Sequence, residues 1–457
     1  MNETSPLIAI VDVGKTNAKL SFVDPELGQE TWSARRANEI VEGATVRELD
    51  IAGIEQWLLA TLREAPGRER VTAIVPIAHG AAAVLVGHDG EVLAAPDYED
   101  PRFDEVAEDY RPLRDAFSMT YSPFLPQGLN LGRQLFYLQQ RRPELLQRAR
   151  HLLMYPQYWA WRFSGIFASE VTSLGTHTDL WRPYDRSYSG LSRKQGWARL
   201  MPGMRTATDR LGKIRSSVSE ATGLSPDCGV SCGIHDSNAS YLRFLMDRER
   251  EVFTVVSSGT WTIVMANRGD LRRLREERDM LANVNAFGAP VATARYMGGR
   301  EYEAIARGDD TPTVEALIDV LASGAMALPS FASAGPYSGR PGRLDGVEAL
   351  DGVHRAALAT LYSALMTTQL IESLGAAGEI FVDGPMARNP LFGRLLAACL
   401  PAGTVRTYPE GGGNRVAAHL AGVPSPVSGA LQKVVPLRLA GLLDYQSTWR
   451  HRLEEKT

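Results

Sequence analysis

Leu7-Ile8-Ala9-Ile10-Val11-Asp12-Val13-Gly14-Lys15-Thr16-Asn17-Ala18-Lys19-Leu20-Ser21-Phe22-Val23 carries the reading that decides the fold. Leu7 to Val11 is an unbroken apolar run, the pattern of a strand buried on both faces. Beyond the polar segment Asp12 to Asn17, Ala18, Leu20 and Phe22 alternate with Lys19 and Ser21, which predicts a second strand. A dinucleotide fingerprint or P-loop needs a helix after its glycine, and none follows here. The loop still has what a phosphate requires. Gly14 lets the backbone approach closely, Thr16 offers a hydroxyl, and Lys15 and Lys19 offer charge. Asp12, at the strand end, is placed to hold a hydrated magnesium ion. The same residues also suit a plain polar hairpin with a solvated Asp12.

At 457 residues the chain exceeds one ordinary core, so two or three domains are expected. A net charge of −4 gives no electrostatic case for nucleic acid or an acidic membrane surface. Cys228, Cys232 and Cys399 are too few for a disulfide framework, and a reducing cytoplasm fits them. The polar, acidic start does not resemble a signal peptide, and every apolar run is too short to span a bilayer.

Further along, the pattern predicts a helix from Ile54 to Leu62, a buried strand from Val71 to Ile77 running into His79-Gly80, and a hairpin around His88-Asp89-Gly90. Pro96 to Arg102 contains Asp97, Tyr98, Glu99 and Asp100. It is either a solvated acidic loop or a set of acceptors for sugar hydroxyls. Residues 103–225 read as irregular and mostly helical. Gln157 lies among Tyr155, Tyr158, Trp159 and Trp161, aromatics expected in the core. Near Gly229-Val230-Ser231-Cys232-Gly233-Ile234-His235-Asp236-Ser237, a strand-like run ends at His235-Asp236 and a helix follows, with Ser237 able to cap it. Asp236 either caps that helix too or accepts a hydroxyl proton at the strand end.

Val252 to Val256, Ser257-Ser258-Gly259-Thr260 and Trp261 to Met265 then repeat the opening plan of strand, small polar loop and strand. Two like domains are expected, residues 1–244 and 245–457. Val353 to Leu374 predicts a long one-sided helix capped by Gly375. Ile380-Phe381-Val382 is a buried strand ending in Asp383-Gly384-Pro385-Met386-Ala387-Arg388-Asn389, a turn before a helix that suits part of a nucleotide. Glu410-Gly411-Gly412-Gly413-Asn414 leads into a last helix, and a polar tail is expected from Ser447.

Four pieces in fixed order, Asp12 to Lys19, His235-Asp236, Ser258-Gly259-Thr260-Trp261 and Asp383 to Asn389, resemble the FGGY family of carbohydrate kinases within the actin-like ATPase superfamily. The resemblance covers residues 7–440 and lies on the rhamnulose, fuculose and pentulose kinase side. It implies an α/β fold of two ribonuclease-H-like domains with an interdomain cleft. It implies an ATP-dependent kinase acting on a hydroxyl of a ketose (deoxyhexulose or pentulose) or related polyol. Gly14, Lys15, Thr16, Asn17 and Lys19 would bind phosphate, with Ser258, Gly259 and Thr260 as a second phosphate loop. Gly384, Pro385 and Asn389 would meet adenosine. His79, Gly80, Tyr98, Asp100 and His235 would contact sugar, Asp236 would be the general base, and Asp12 would hold Mg2+ through water. Lys15 stands where the family usually has threonine, and the adenosine motif is less glycine-rich than usual. The rival from another class is a sugar- or nucleotide-binding sensor of the same fold without turnover. An exposed helix face leaves a homodimer open.

Overall fold

A computed structural model describes residues 5–246, 248–400, 403–407, 413–424 and 431–455. Glu410, Gly411 and Gly412 of the glycine-rich approach lie outside the described residues. The chain divides into two compact units. The first is Met1–Met246 with Ala282–Pro290 and Gly412–Ser428; the second is Asp247–Leu281 with Val291–Gly411 and Gly429–Thr457. The second half is therefore not one continuous unit, because two of its segments return to the first. One link in that return is the Ser231 hydroxyl, which donates to the Leu420 carbonyl at 2.7 Å.

The first unit is built on a seven-stranded sheet of β1 (Leu7–Val13), β2 (Asn17–Asp24), β3 (Gln29–Ala37), β4 (Val71–Ala78), β5 (Arg210–Lys213), β6 (Gly229–Ser231) and β7 (Ile234–His235). The order is β5-β6-β4-β1-β2-β3, with β7 also on β4. β1 to β3 form an antiparallel meander, whereas β4 runs parallel to β1, β6 and β7. The apolar run of β1 is buried because it is central, and β3 is polar and half-exposed because it is the edge. Helix α1 (Ile51–Glu64) starts on an Asp50 cap and buries Ile51, Ile54, Leu58 and Leu62.

Pro76 sits inside central strand β4, where a missing N–H normally costs a ladder bond. The neighbouring strand breaks opposite it. β6 pairs with Ala73 and Ile74, β7 pairs with Ile77 and Ala78, and Cys232-Gly233 lies between. Gly233 takes φ +87° there, and a Cβ on it would lie 2.8 Å from the Pro76 carbonyl oxygen. Gln157, on helix α2 (Tyr155–Ser164), donates to the Cys232 and Gly233 carbonyls at 3.1 Å each and satisfies the break.

The second unit repeats the plan. Its seven strands are β8 (Phe253–Ser258), β9 (Thr262–Ala266), β10 (Met280–Val284), β11 (Pro290–Tyr296), β12 (Glu379–Asp383), β13 (Val405–Thr407) and β14 (Gln432–Lys433), in the order β10-β11-β9-β8-β12-β13-β14. β8, β9 and β11 are antiparallel, and β12 and β13 continue parallel to β8. The directions match β1, β2, β3, β4 and β6 in turn, so the expected duplication is present in the topology. Helix α3 (Asp236–Leu245) leads out of the first unit; α4 (Gly298–Ala306) follows β11 in the second.

Helix α5 (Gly352–Leu374) differs from the one-sided expectation, because it is buried almost all round from Ala356 to Leu374. Thr360, Ser363 and Thr368 each return their hydroxyl to the carbonyl four residues earlier, at 2.8 Å, so their polar atoms need no water. The expected polar tail is also a helix, separated from α5 in sequence by α6 (Phe392–Cys399). In α7 (Leu442–Glu454), Leu442, Tyr445, Trp449 and Leu453 are buried. The Tyr445 hydroxyl and the Trp449 indole N–H donate to the Ala325 and Ala327 carbonyls. All three cysteines are buried free thiols. Among the described residues no helix is long and apolar enough to cross a membrane.

Candidate functional site

Strand register assembles the first cluster. Val13 pairs with Ala78, and Ala78 with His235. Gly14, His79 and Asp236 are therefore the next residues out at the carboxyl ends of adjacent parallel strands, the edge where open α/β sheets present residues to ligands. The turn is tied down by Gly14 N–H to the Asn17 carbonyl (3.0 Å) and by the Asn38 amide to the Gly14 carbonyl (2.8 Å). Thr16 and Asn17 are exposed. Gly80 is needed for close approach, since a Cβ there would lie 2.7 Å from His235 Nε2.

Hydrogen bonds fix the state of His235. The Asn238 amide nitrogen faces the Thr172 carbonyl at 3.4 Å and His235 Nδ1 at 3.1 Å. A carbonyl only accepts, so the amide donates to both, Nδ1 is the acceptor, and Nε2 carries the proton. Burial lowers the His235 pKa and keeps the ring neutral. Nε2–H then faces Asp236 Oδ1 at 3.2 Å. The same Oδ1 accepts from the Ser237 backbone N–H and hydroxyl. Asp236 Oδ2 has no hydrogen-bond partner among the described residues, and the side chain is 40% exposed. One oxygen is thus held by three donors and the other is open to a ligand. The helix begins at Asp236 itself, with His235 as the cap residue, so Ser237 serves the carboxylate rather than the helix end.

Asp12 lies in the same field. Burial and the charge of Asp236 push its carboxyl up to about 6, against the pull of Lys19 and Arg35. Burial lowers His79, whose Nδ1 donates to the Gly80 carbonyl at 2.9 Å, leaving Nε2 as an acceptor. His79 also meets the rings of Tyr98 (5.8 Å) and Tyr155 (5.0 Å) edge-on. Burial, with Glu99 and Asp97, pushes the Tyr98 phenol up, so it remains a donor.

Three expected contacts are committed elsewhere. Asp100 is fully buried: it accepts from the Arg47 and Arg102 backbone N–H groups and pairs with the Arg102 guanidinium. It caps a short helix and is neither a solvated acid nor an open acceptor for sugar. Lys19 pairs with Glu30. Lys15 reaches Asp97 at 2.7 Å and Glu99 at 3.3 Å. Neither lysine is a free phosphate cation, because a carboxylate remote in sequence folds onto each.

Sequence reasoning missed Glu170. It is fully buried, and its Oε2 accepts from the Thr172 hydroxyl (2.5 Å) and N–H (2.9 Å). Thr172 Oγ1 in turn accepts the His235 N–H at 3.0 Å, so Glu170 positions the strand end that carries His235. Burial pushes its carboxyl up to about 8. The folded protein keeps this proton while the unfolded chain, with an ordinary carboxyl, loses it. Stability therefore falls as pH rises from about 4.5 through about 8. Glu170→Gln should match wild type in chemical denaturation at pH 5 and exceed it by a few kcal/mol, roughly, at pH 8.5. An equal difference at both pH values would refute the protonated-carboxyl assignment.

In the second unit a cavity of about 550 Å³ is lined by Ser258, Gly259 and Thr260 of the β8–β9 loop, by Pro385, Met386 and Asn389 after β12, and by Gly299, Arg300, Tyr302 and Glu303 of α4. Gly259 and Thr260 are exposed, but the Ser258 hydroxyl is used internally: it donates to the Asp383 carbonyl (2.5 Å) and accepts from Met386 N–H (3.0 Å). Asn389 caps α6 through Leu391 and Phe392 N–H and donates to Thr360. Its polar atoms therefore shape the cavity wall. Gly384 is not on the lining but holds the turn. Arg300, Tyr302 and Glu303 were missed because an amphipathic helix start carries no mark of what its exposed side faces.

Residues 7–242 match the model of the FGGY family of carbohydrate kinases, N-terminal domain, and residues 250–428 that of carbohydrate kinase FGGY, C-terminal domain. L-fuculokinase of Haemophilus influenzae is 25% identical over 276 residues, 56% of this chain and 57% of that protein. Rhamnulokinase of Halalkalibacterium halodurans is 25% identical over 40% of this chain and 38% of that protein. These curated relatives are thus matched over about half their length or less. The crystal structure of a carbohydrate kinase from Novosphingobium aromaticivorans is 36% identical, with a TM-score of 0.89 over 99% of each chain. Ligand-bound xylulose kinase from Lactobacillus acidophilus, 14% identical with a TM-score of 0.77 over 98% of this chain and 96% of that one, shares the fold. Two family models that together span most of the chain, and a structural relative along its whole length, lead to one statement: the chain belongs to the FGGY family of carbohydrate kinases.

Proposed function

We propose that this protein transfers the γ-phosphoryl group of ATP to a hydroxyl of a ketose (deoxyhexulose or pentulose) or a related polyol. The observation that carries the reading is the asymmetric Asp236 carboxylate, one oxygen held by three donors and the other open. Phosphoryl transfer asks little covalent chemistry of the protein; it needs positioning, charge neutralisation and a base near the nucleophile. Oδ2 takes the hydroxyl proton, while His235 Nε2–H and Ser237 hold the carboxylate's direction. His79 Nε2 and the Tyr98 hydroxyl offer an acceptor and a donor to the sugar. Gly14, Thr16 and Asn17 in the first unit, and Gly259 and Thr260 in the second, offer groups for phosphate. Pro385 and Met386 form the wall for adenosine.

The donor set fits Mg2+. Asp12 is a hard oxygen donor whose carboxyl is pushed up first by burial and then by the charge of Asp236, so a cation placed between the two carboxylates would favour its ionised form. Magnesium keeps several of its waters and is usually bound through one or two carboxylates, a role that Asp12 alone can fill. When bound, the metal supplies positive charge to the phosphates.

The test is ADP release with ATP and magnesium over rhamnulose, fuculose, xylulose, ribulose, glycerol and erythritol. One sugar raising release far above background supports the reading and names the substrate. A flat panel with ATP binding intact favours the sensor. Gly80→Ala checks the base's support: the new Cβ displaces the His235 ring, so kcat should fall about tenfold or more, as positioning effects do, with little change in KM for ATP. Unchanged kcat would remove His235 from the orienting role.

A further inference from the structure

We propose that the second unit carries a separate anion site for a small organic phosphate, outside the machinery described above. A cavity of about 720 Å³ is lined by Arg273, Arg275, Arg278, Arg340 and Arg450 and shares no residue with the 550 Å³ cavity beside β8 and α4. Glu454 is the one carboxylate on its lining. The chain as a whole is acidic, at −4, so this local excess of cations runs against the composition.

How the guanidiniums are held matters more than their number. Arg273 donates to the Glu372 and Ser373 carbonyls, Arg275 to those of Arg272 and Leu274, Arg278 to Pro336, and Arg340 to Leu453. Backbone carbonyls fix a guanidinium in place without neutralising it. Each guanidinium has five N–H donors and spends one or two in these bonds, leaving the rest for a ligand. Among the described residues no carboxylate pairs with these four. Arg450 alone is neutralised, at 2.7 and 2.8 Å from Glu372. Capping the end of α5 accounts for Arg273 but not for Arg275 and Arg278. Fixed, unneutralised forks in a concave site are what recognise phosphate oxygens.

The lining also indicates the rest of the ligand. Its aromatic ring, Tyr337, already has the Arg278 and Arg340 guanidiniums over it, at 5.2 and 5.8 Å to the ring centre. A nucleotide base would have to compete with these guanidiniums for the ring. Gln369 and Ser373 add polar groups for hydroxyls. A phosphate on a small polyol, or an inorganic polyphosphate, fits better than a nucleotide.

Calorimetric titration of the full chain with glucose 6-phosphate, pyrophosphate and citrate tests this. We expect saturable binding of at least one phosphate compound and much weaker binding of citrate. Glucose 6-phosphate alone would assign a sugar ester, and pyrophosphate alone an inorganic source. Arg275→Gln with Arg278→Gln should weaken that binding tenfold or more, and Glu454→Gln should strengthen it severalfold. If the double variant fails to fold, Glu454→Gln still decides. No saturable binding, equal binding of citrate, or affinity unchanged in the variants would overturn the proposal.

Discussion

Asp236→Asn should lower phosphoryl transfer by about two to four orders of magnitude, the span of general base catalysis, and leave ATP affinity close to wild type. The change keeps a carbonyl-type oxygen where Oδ1 accepts from Ser237 and His235. It replaces the open Oδ2 with an amide that cannot take a proton. The residues lining the cavity proposed for adenosine all belong to the second unit, and the change removes no group offered to phosphate, so ground-state nucleotide binding should stay close to wild type. Single-turnover ADP formation and equilibrium nucleotide titration together separate the two effects. Wild-type turnover would remove Asp236 from the mechanism; a large loss of ATP affinity would make its role structural.

Gly384→Ala should damage the nucleotide side as severely by another route. Gly384 has φ +81° and ψ −161°, a region essentially restricted to glycine. A Cβ there would sit 2.0 Å from the Ser258 carbonyl oxygen. That atom is backbone in β8, one residue beyond the Ser257–Asp383 register pair, so it cannot swing away. The clash pushes apart β8 and the turn that Ser258 holds through Met386. Strain of this kind costs roughly 1–3 kcal/mol before the clash is counted. We expect ADP affinity to fall at least tenfold and the midpoint of chemical denaturation to drop. Gly308→Ala is the control: its Cβ meets only Asp310 Oδ2 at 3.5 Å, and it should stay within about 0.5 kcal/mol of wild type. Equal behaviour of the two variants would contradict the account of the turn.

The frame of the fold was legible because it is periodic. The two strand–loop–strand copies, α1, β4 and β12 all announce themselves by apolar runs and glycine or aspartate punctuation. What was illegible depends on partners distant in sequence. Lys15 and Lys19 look like phosphate cations until Asp97 and Glu30 fold onto them. Asp100 looks like an exposed acid until Arg102 and two backbone N–H groups enclose it. Glu170 gives no local signal, because its meaning comes through Thr172 to a strand some sixty residues later. α7 is a different case. Leu442, Tyr445, Trp449 and Leu453 recur at helical spacing, but the many charges between them hide the stripe. α5 misleads in the opposite direction, since its Thr and Ser residues read as a polar face although their hydroxyls are satisfied within the helix.

The central claim is that the γ-phosphoryl group goes to a sugar hydroxyl and not to water. Phosphorus-31 NMR of a reaction with ATP, magnesium and the sugar that best raises ADP release tests it directly. The account predicts a phosphomonoester resonance growing in step with ADP, with little inorganic phosphate. ADP matched by inorganic phosphate, with no ester, would contradict it.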